Sequence, residues 1–220
     1  MLHEAFVRII TEYPLAKTQQ LTDHPLANFI RQNVPVILQN TFPQHTDLQW
    51  AASPGQGRWS DAPWIAVFDP LVTETPQEGY YPVYLFTRTL DAVYLSLNQG
   101  MTELRKEFGS GEAKEILRSR AKILRSRSES EYQVRFNATP IDLQASGPST
   151  RLAFYEPGHV FGVRYDQNSL PTTQQLIDDL AMMINVYRLA TARGGTDDLD
   201  SGHSVTDQLQ VDLSGSTLQE

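Results

Sequence analysis

The 220-residue chain has no cysteine, which excludes disulfides, thiolate zinc sites and thiol nucleophiles together. It has no run of about eighteen apolar residues, so no membrane-spanning helix is expected. The first residues, MLHEAFVRIITEY, carry acids and lack a basic segment leading into an apolar one, so no signal peptide is expected and the cytoplasm is the expected location. Histidine is sparse: His3, His24, His45, His159 and His203 are scattered, and none stands at ligand spacing with another, which leaves no metal site to expect. There is no G-x-S-x-G elbow. Gly55-x-Gly57 lacks the third glycine and the following helix of a dinucleotide fingerprint, and no Gly-Lys-Ser/Thr follows Gly109-Ser110-Gly111. Glu112-Ala113-Lys114 has the letters of a nuclease motif but falls at a predicted helix start rather than on a strand. With no catalytic residue, metal or cofactor to assign, the chain reads as a binding domain.

Basic residues are missing from one end. Residues 196–220 hold six acids and no Lys or Arg, so the formal charge of −8 is largely theirs; the remainder carries 18 basic against 20 acidic residues. Nine of the 18 basic residues fall within 105–135, against five acids there. A local basic stripe on a mildly acidic domain suits either a phosphate backbone or an ordinary solvated helix face.

Hydrophobic spacing predicts a helix from Leu2 that Pro14 ends, and a second one capped by Thr22 or Asp23 with Pro25 in its first turn. Residues 33–47 are ambiguous. Strands are expected at 48–52, 64–68, 81–88 and 92–98, the last two joined as a hairpin through Thr89-Leu90-Asp91. A helix is expected over 102–108, continuing past Gly109–Gly111 to Arg127. Further strands are expected at 133–136, 152–155 and 160–165, then a helix from Thr172-Thr173 to about Ala192, ended by Gly194-Gly195. The order implies an α+β single domain over 1–194, a mixed or antiparallel curved sheet flanked by helices, with 195–220 as an acidic disordered tail or linker.

All three tryptophans, Trp50, Trp59 and Trp64, lie within fifteen residues of one another, beside Gly55, Gln56, Gly57 and Arg58. Glycines there allow a tight turn or close approach to a ligand, and the block reads as one wall of a pocket. Reading a base outside the duplex requires an apolar or aromatic sandwich for the ring and a few polar groups for its edge. Trp64, Tyr81, Leu85 and Tyr155 are the candidates; Tyr81 and Leu85, four apart on a strand, share a face. For any one of them taken singly, core packing is the more ordinary account.

The segments GQGRWSDAPWIAVFDP, GYYPVYLF, VYLSLNQG and YEPGHVFGVRYDQNSLP, in this order and followed by a helix, resemble the McrB-like N-terminal DNA-binding domain. That family supplies the modified-cytosine reader of McrBC-type, modification-dependent restriction systems. The resemblance spans about residues 2–193 and implies an α+β module that flips 5-methylcytosine or 5-hydroxymethylcytosine into an aromatic pocket of double-stranded DNA. By motif it assigns Trp64, Tyr81, Leu85 and Tyr155 to the base pocket, and Gly55, Gln56, Gly57, Arg58 and Trp59 to a loop against the DNA. Gln56 stands where the family has a tyrosine, which leaves open a different modification such as 6-methyladenine. Arg118, Lys122 and Arg125, one helical turn apart, are expected on phosphates. Any nuclease or NTPase activity belongs to another domain or partner. The rival readings are an enzyme acting on nucleotides or DNA, and a protein-interaction module whose aromatic block is only core.

Overall fold

A computed structural model describes residues 1–128 and 132–192. Helix α1 (Leu2–Ala16) buries Leu2, Phe6, Ile9, Ile10 and Tyr13 on one face. It runs through Pro14, where one was expected to end it, because Tyr13 and Ala16 are both buried and the Lys17 amide still reaches the Tyr13 carbonyl. Tertiary packing outweighs the lost proline hydrogen bond. Helix α2 (Pro25–Asn28) is capped by His24, whose ring accepts from the Leu26 amide; Asp23, one of two expected caps, sits instead at φ 58°. A π-turn (Phe29–Asn33) leads into α3 (Val34–Thr41), which takes up the first part of the ambiguous stretch.

The sheet is an antiparallel five-stranded ladder in the order β1 (Gln49–Gln56), β2 (Arg58–Phe68), β3 (Tyr80–Phe86), β4 (Ala92–Gln99), β5 (Phe161–Asp166). Each expected strand from 48 to 98 is there, as is the 86–93 hairpin, with Leu90 at φ 62° in its turn. Between β4 and β5 run helix α4 (Thr102–Arg127), interrupted at Gly109 (φ 76°), and the short helix α5 (Leu152–Gly158). Helix α6 (Thr173–Ala192) closes the domain; the Thr172 hydroxyl accepts from the Gln175 amide at its start. The expected tail at 195–220 and the glycine stop at 194–195 lie outside the described residues.

Two expected strands are not strands: one is helical and the other a turn. In 152–155 four consecutive side chains are buried, a run whose period fits strand and helix alike; the Phe154 and Tyr155 amides both bond the Arg151 carbonyl, and β4 already has partners on both edges. In 133–136 the Phe136 amide bonds the Tyr132 carbonyl, and this turn stacks both rings on Phe161, at centroid distances of 4.4 and 6.2 Å. Only Asn137 bridges to the sheet, at Gly162.

Strand β3 is buried throughout, as the aromatic alternation of its two faces requires. One face carries Tyr84 and Phe86 into the core: Phe6 of α1 meets their rings at 4.8 and 5.6 Å, and the Tyr84 hydroxyl donates to the Leu176 carbonyl of α6. The other face carries Tyr81 and Leu85 toward α5.

Candidate nucleic-acid interface

Strand β2 pairs with β1 from Arg58 to Phe68 but with β3 only over Trp64–Ala66. The first half of β2 and the last half of β1 therefore extend past the sheet as a two-stranded arm. Its tip is the segment 55–58, a hairpin turn rather than an open loop: Gly55 is opposite Trp59 and Gln56 opposite Arg58, after a register shift at Ser53/Gly55. Gly55 has φ 131° and a Cβ there would stand 2.2 Å from the Arg58 carbonyl oxygen, so only glycine fits. Gln56, Gly57 and Arg58 are exposed. The base of the arm is held: Tyr13 donates to the Pro54 carbonyl at 2.7 Å, Lys17 to the Asp61 carbonyl at 2.8 Å, and Arg31 to the Gly55 carbonyl at 2.8 Å.

The three tryptophans part company here. Trp50 stacks on Phe42 at 5.3 Å, at the far end of the hairpin. Trp59 turns back onto the helical layer, edge-on to Tyr13 and His24, with its indole N–H on the Gln19 carbonyl at 2.9 Å. Trp64 alone of the three lines the cleft beside α5, whereas Trp59 borders the one on the other flank of the tip. Trp64 is the register partner of Leu85, so the two side chains leave the sheet on one face. With Tyr155 of α5 they line a small recess of about 50 Å³, walled by Gly55, Ala62, Pro63, Arg151 and Leu152 among others. Tyr81 stands behind them, its hydroxyl on the Pro76 carbonyl at 3.0 Å and hydrogen-bonded to Tyr155. The structure thus gathers Trp64, Leu85 and Tyr155 at one recess and places Tyr81 in its supporting wall.

The recess adjoins a wider cleft of about 680 Å³ that shares Gly55, Trp64, Arg151 and Tyr155 with it and runs between the arm and the start of α4. A further cleft of about 940 Å³ continues along the other flank of the tip. Cations rim both: Arg31, Arg58, Arg105, Lys106 and Arg151, all exposed. Of these only Arg58 was singled out in the sequence, because the others come together from three distant segments. Spacing along the chain carries no signal of such a cluster.

Tyr155 owes its place to polar residues buried under α5. Asn98 of β4 donates to the Tyr155 carbonyl at 3.0 Å and to Ser96 at 3.2 Å, and Gln99 donates to the Leu117 and Gly158 carbonyls. Gly158 permits this approach, since a Cβ would lie 2.6 Å from the Asn98 side-chain oxygen. His159 closes the network on Ser96 at 2.7 Å. Burial first, and the nearby Arg125 second, push the His159 pKa down to about 3 from 6.5. The neutral ring belongs to the folded state, whereas the unfolded chain takes up a proton below 6.5. The unfolded state therefore binds more protons between these values, and stability falls as pH falls through that window. Between pH 7 and pH 5 this residue should remove about 2 kcal/mol, and His159→Gln should flatten that part of a denaturant-midpoint titration.

Arg118, Lys122 and Arg125 lie elsewhere, on a separate cleft of about 840 Å³ between α4 and residues 138–159. Arg118 pairs with Glu115 in the open, and Lys122 is exposed. Arg125 is half-buried and donates to the Val160 and His159 carbonyls at 2.5 and 2.7 Å, so its guanidinium is engaged by the protein itself. Among the described residues no group of three His, Asp or Glu side chains is placed to hold a metal ion, and no helix is long and apolar enough to cross a membrane.

Compared with known protein families, the chain matches the model described as MrcB-like, N-terminal domain, over residues 8–191. A comparison with curated proteins finds no match.

Proposed function

The chain belongs to the MrcB-like N-terminal domain family, which supports a DNA-binding module of McrBC-type systems, and on that premise we propose that it reads a modified base flipped out of double-stranded DNA. The observation that carries this reading is the meeting of Trp64, Leu85 and Tyr155 at one recess beside an exposed hairpin tip and a rim of cations. A recess of about 50 Å³ is small beside the adjoining cleft of about 680 Å³. It takes a substituent rather than a ring. The base ring lies in the adjoining cleft against Trp64, and the substituent at C5 of cytosine points into the recess. Burying a methyl group there contributes about 0.8 kcal/mol, so discrimination between 5-methylcytosine and cytosine rests on shape as well as on burial.

The arm enters a groove with Gln56 at its tip, filling the gap that the flipped base leaves. Unstacking costs a few kcal/mol, offset by ring stacking and by hydrogen bonds to the base edge. Arg31, Arg58, Arg105 and Lys106 hold the phosphates nearest the pocket; Arg118 and Lys122, beyond the 147–151 segment, hold a more distant one. No catalytic step is assigned to this domain. Cleavage or nucleotide hydrolysis belongs to another domain or a partner protein.

The test is binding to matched duplexes carrying cytosine, 5-methylcytosine, 5-hydroxymethylcytosine or 6-methyladenine at one position, across a salt series. Preference for one modified duplex is the expected result; equal binding to all four would reduce the domain to a basic surface. Lys106→Gln and Arg58→Gln should weaken all four duplexes alike, and each should reduce the slope of log affinity against log salt by about 1.

A further inference from the structure

Building on that base-reading proposal, we propose that Arg151 reads the acceptor edge of the flipped base and so selects a modified cytosine over 6-methyladenine. Arg151 is the one cation that lines the recess and both adjoining clefts. The other rim cations reach only the outer clefts, where phosphates pass. Its side chain is exposed, and among the described residues it makes no ion pair with a carboxylate. The guanidinium lies near enough to the hydroxyls of Tyr81 and Tyr155 to oppose, by its charge, the upward pKa shift that burial imposes on both.

The loop that carries Arg151 is braced from α4. Lys114 donates to the Pro148 carbonyl at 2.7 Å and Arg105 to the Ser149 carbonyl at 3.3 Å, and both cations lie over the Phe154 ring, at 4.8 and 5.2 Å. These contacts tie the backbone just before Arg151 to the buried Phe154 ring just after it and leave its guanidinium free to meet a ligand. The backbone carbonyl of Arg151, by contrast, is occupied in capping α5.

An arginine fork offers donors only, and it is most selective where two acceptors stand side by side. Cytosine presents N3 and O2 adjacent on its Watson–Crick edge. The corresponding edge of 6-methyladenine presents N1 alone, flanked by a C–H and by an N–H donor. With the C5 substituent in the recess, O2 and N3 lie on the far side of the ring, toward the outer clefts that Arg151 also lines, so a fork extended there matches cytosine and leaves one donor unpaired against adenine. A bidentate pair of this kind is worth about 1–3 kcal/mol of discrimination, which corresponds to roughly five- to 150-fold in affinity.

Arg151→Lys and Arg151→Gln decide the matter, because both leave the backbone cap intact; thermal melts confirm that each variant is folded. Duplexes carrying one 5-methylcytosine or one 6-methyladenine are titrated with wild type and variants over a salt series. Comparing the ratio of affinities between proteins cancels the different costs of flipping the two bases. The expected result is that both variants bring the 5-methylcytosine to 6-methyladenine ratio down about tenfold, with the salt slope kept in Arg151→Lys. Between 5-methylcytosine and 3-deaza-5-methylcytosine, which lacks the N3 acceptor, the ratio of affinities should be about tenfold larger in wild type than in Arg151→Gln, the altered cost of flipping cancelling between the two proteins. Two results overturn the assignment alone: a ratio that Arg151→Lys preserves, and a uniform loss in Arg151→Gln with a slope lower by about 1, the mark of a phosphate contact. A wild-type chain that prefers no modified duplex overturns the base-reading proposal and this assignment with it.

Discussion

Trp64→Ala is expected to lower affinity for the preferred modified duplex by about ten- to a hundredfold, with little change for the unmodified one. The size follows from the stacking of a base on an aromatic ring, about 1–3 kcal/mol by alanine substitution. The selectivity follows from position. Trp64 stands at the mouth of the recess opposite Leu85, partly exposed, so the ring is available to a ligand rather than consumed by the core. Trp59→Ala is the control. Its ring packs edge-on to Tyr13 and His24 and its N–H serves the Gln19 carbonyl, so that variant should lose melting temperature while the ratio between modified and unmodified duplexes is kept. Fluorescence anisotropy at one salt concentration, beside thermal melts, separates the two. Parallel behaviour of Trp59→Ala and Trp64→Ala would mean that the aromatic block acts only as core.

The sequence made the sheet legible because the relevant rule is local. Aromatic and β-branched alternation marks β2, β3 and β4, and the four-residue spacing of Tyr81 and Leu85 puts them on one face wherever the strand is placed. Trp64 and Leu85 meet because the β2–β3 register makes them opposite, and no periodicity of either strand alone fixes a register. The same limit hid the arm. Residues 57–63 look like a turn when read for composition, with glycine, serine, aspartate and proline together, yet from Arg58 on they belong to β2, whose Arg58 and Trp59 pair with β1 before the register shift and whose Trp64 pairs with it after. Tyr155 was assigned to the pocket by resemblance and expected on a strand, whereas it lies on a helix. A four-residue apolar run has no period to read, and the α5 turn is imposed by Asn98 and Gln99 from beneath. The basic stripe on α4 was visible, but which face it presents depends on the contacts of each member. Arg125 spends its donors on backbone carbonyls. Meanwhile Arg31 and Arg151, 120 positions apart by their numbers, meet at the same cleft.

The largest loss of stability is expected from Asp179→Asn, on the sheet face that Trp64 and Leu85 do not use. Asp179 is 2% exposed, yet it is a carboxylate. Arg135 grips it through two bonds of 2.5 and 2.7 Å, Tyr165 donates at 2.7 Å and Gln175 at 2.8 Å. Burial raises the pKa of this carboxyl, but the bonds from Arg135, Tyr165 and Gln175 reverse the shift and leave it below 3.8. A depressed carboxyl contributes stability that is fully present above its unfolded value and is lost as pH falls through the folded one. The Asp179 contribution therefore fails only below pH 3.8, after His159 has already begun to act below 6.5. Removing the charge of one partner from a buried pair typically costs about 3–5 kcal/mol. With Arg135 about a third exposed, 35% by side chain, the lower end applies. At about 2–4 °C per kcal/mol for a domain of this size, the melting point should fall by roughly 6–12 °C at neutral pH. Base preference should survive, because Tyr165 shares its face with Phe86 through Val93, and Tyr81 and Leu85 point the other way. A variant that melts early and still prefers the same duplex would show that one face of the sheet holds the domain together while the other reads the DNA. A variant that loses preference along with stability would mean that the pocket depends on the whole sheet.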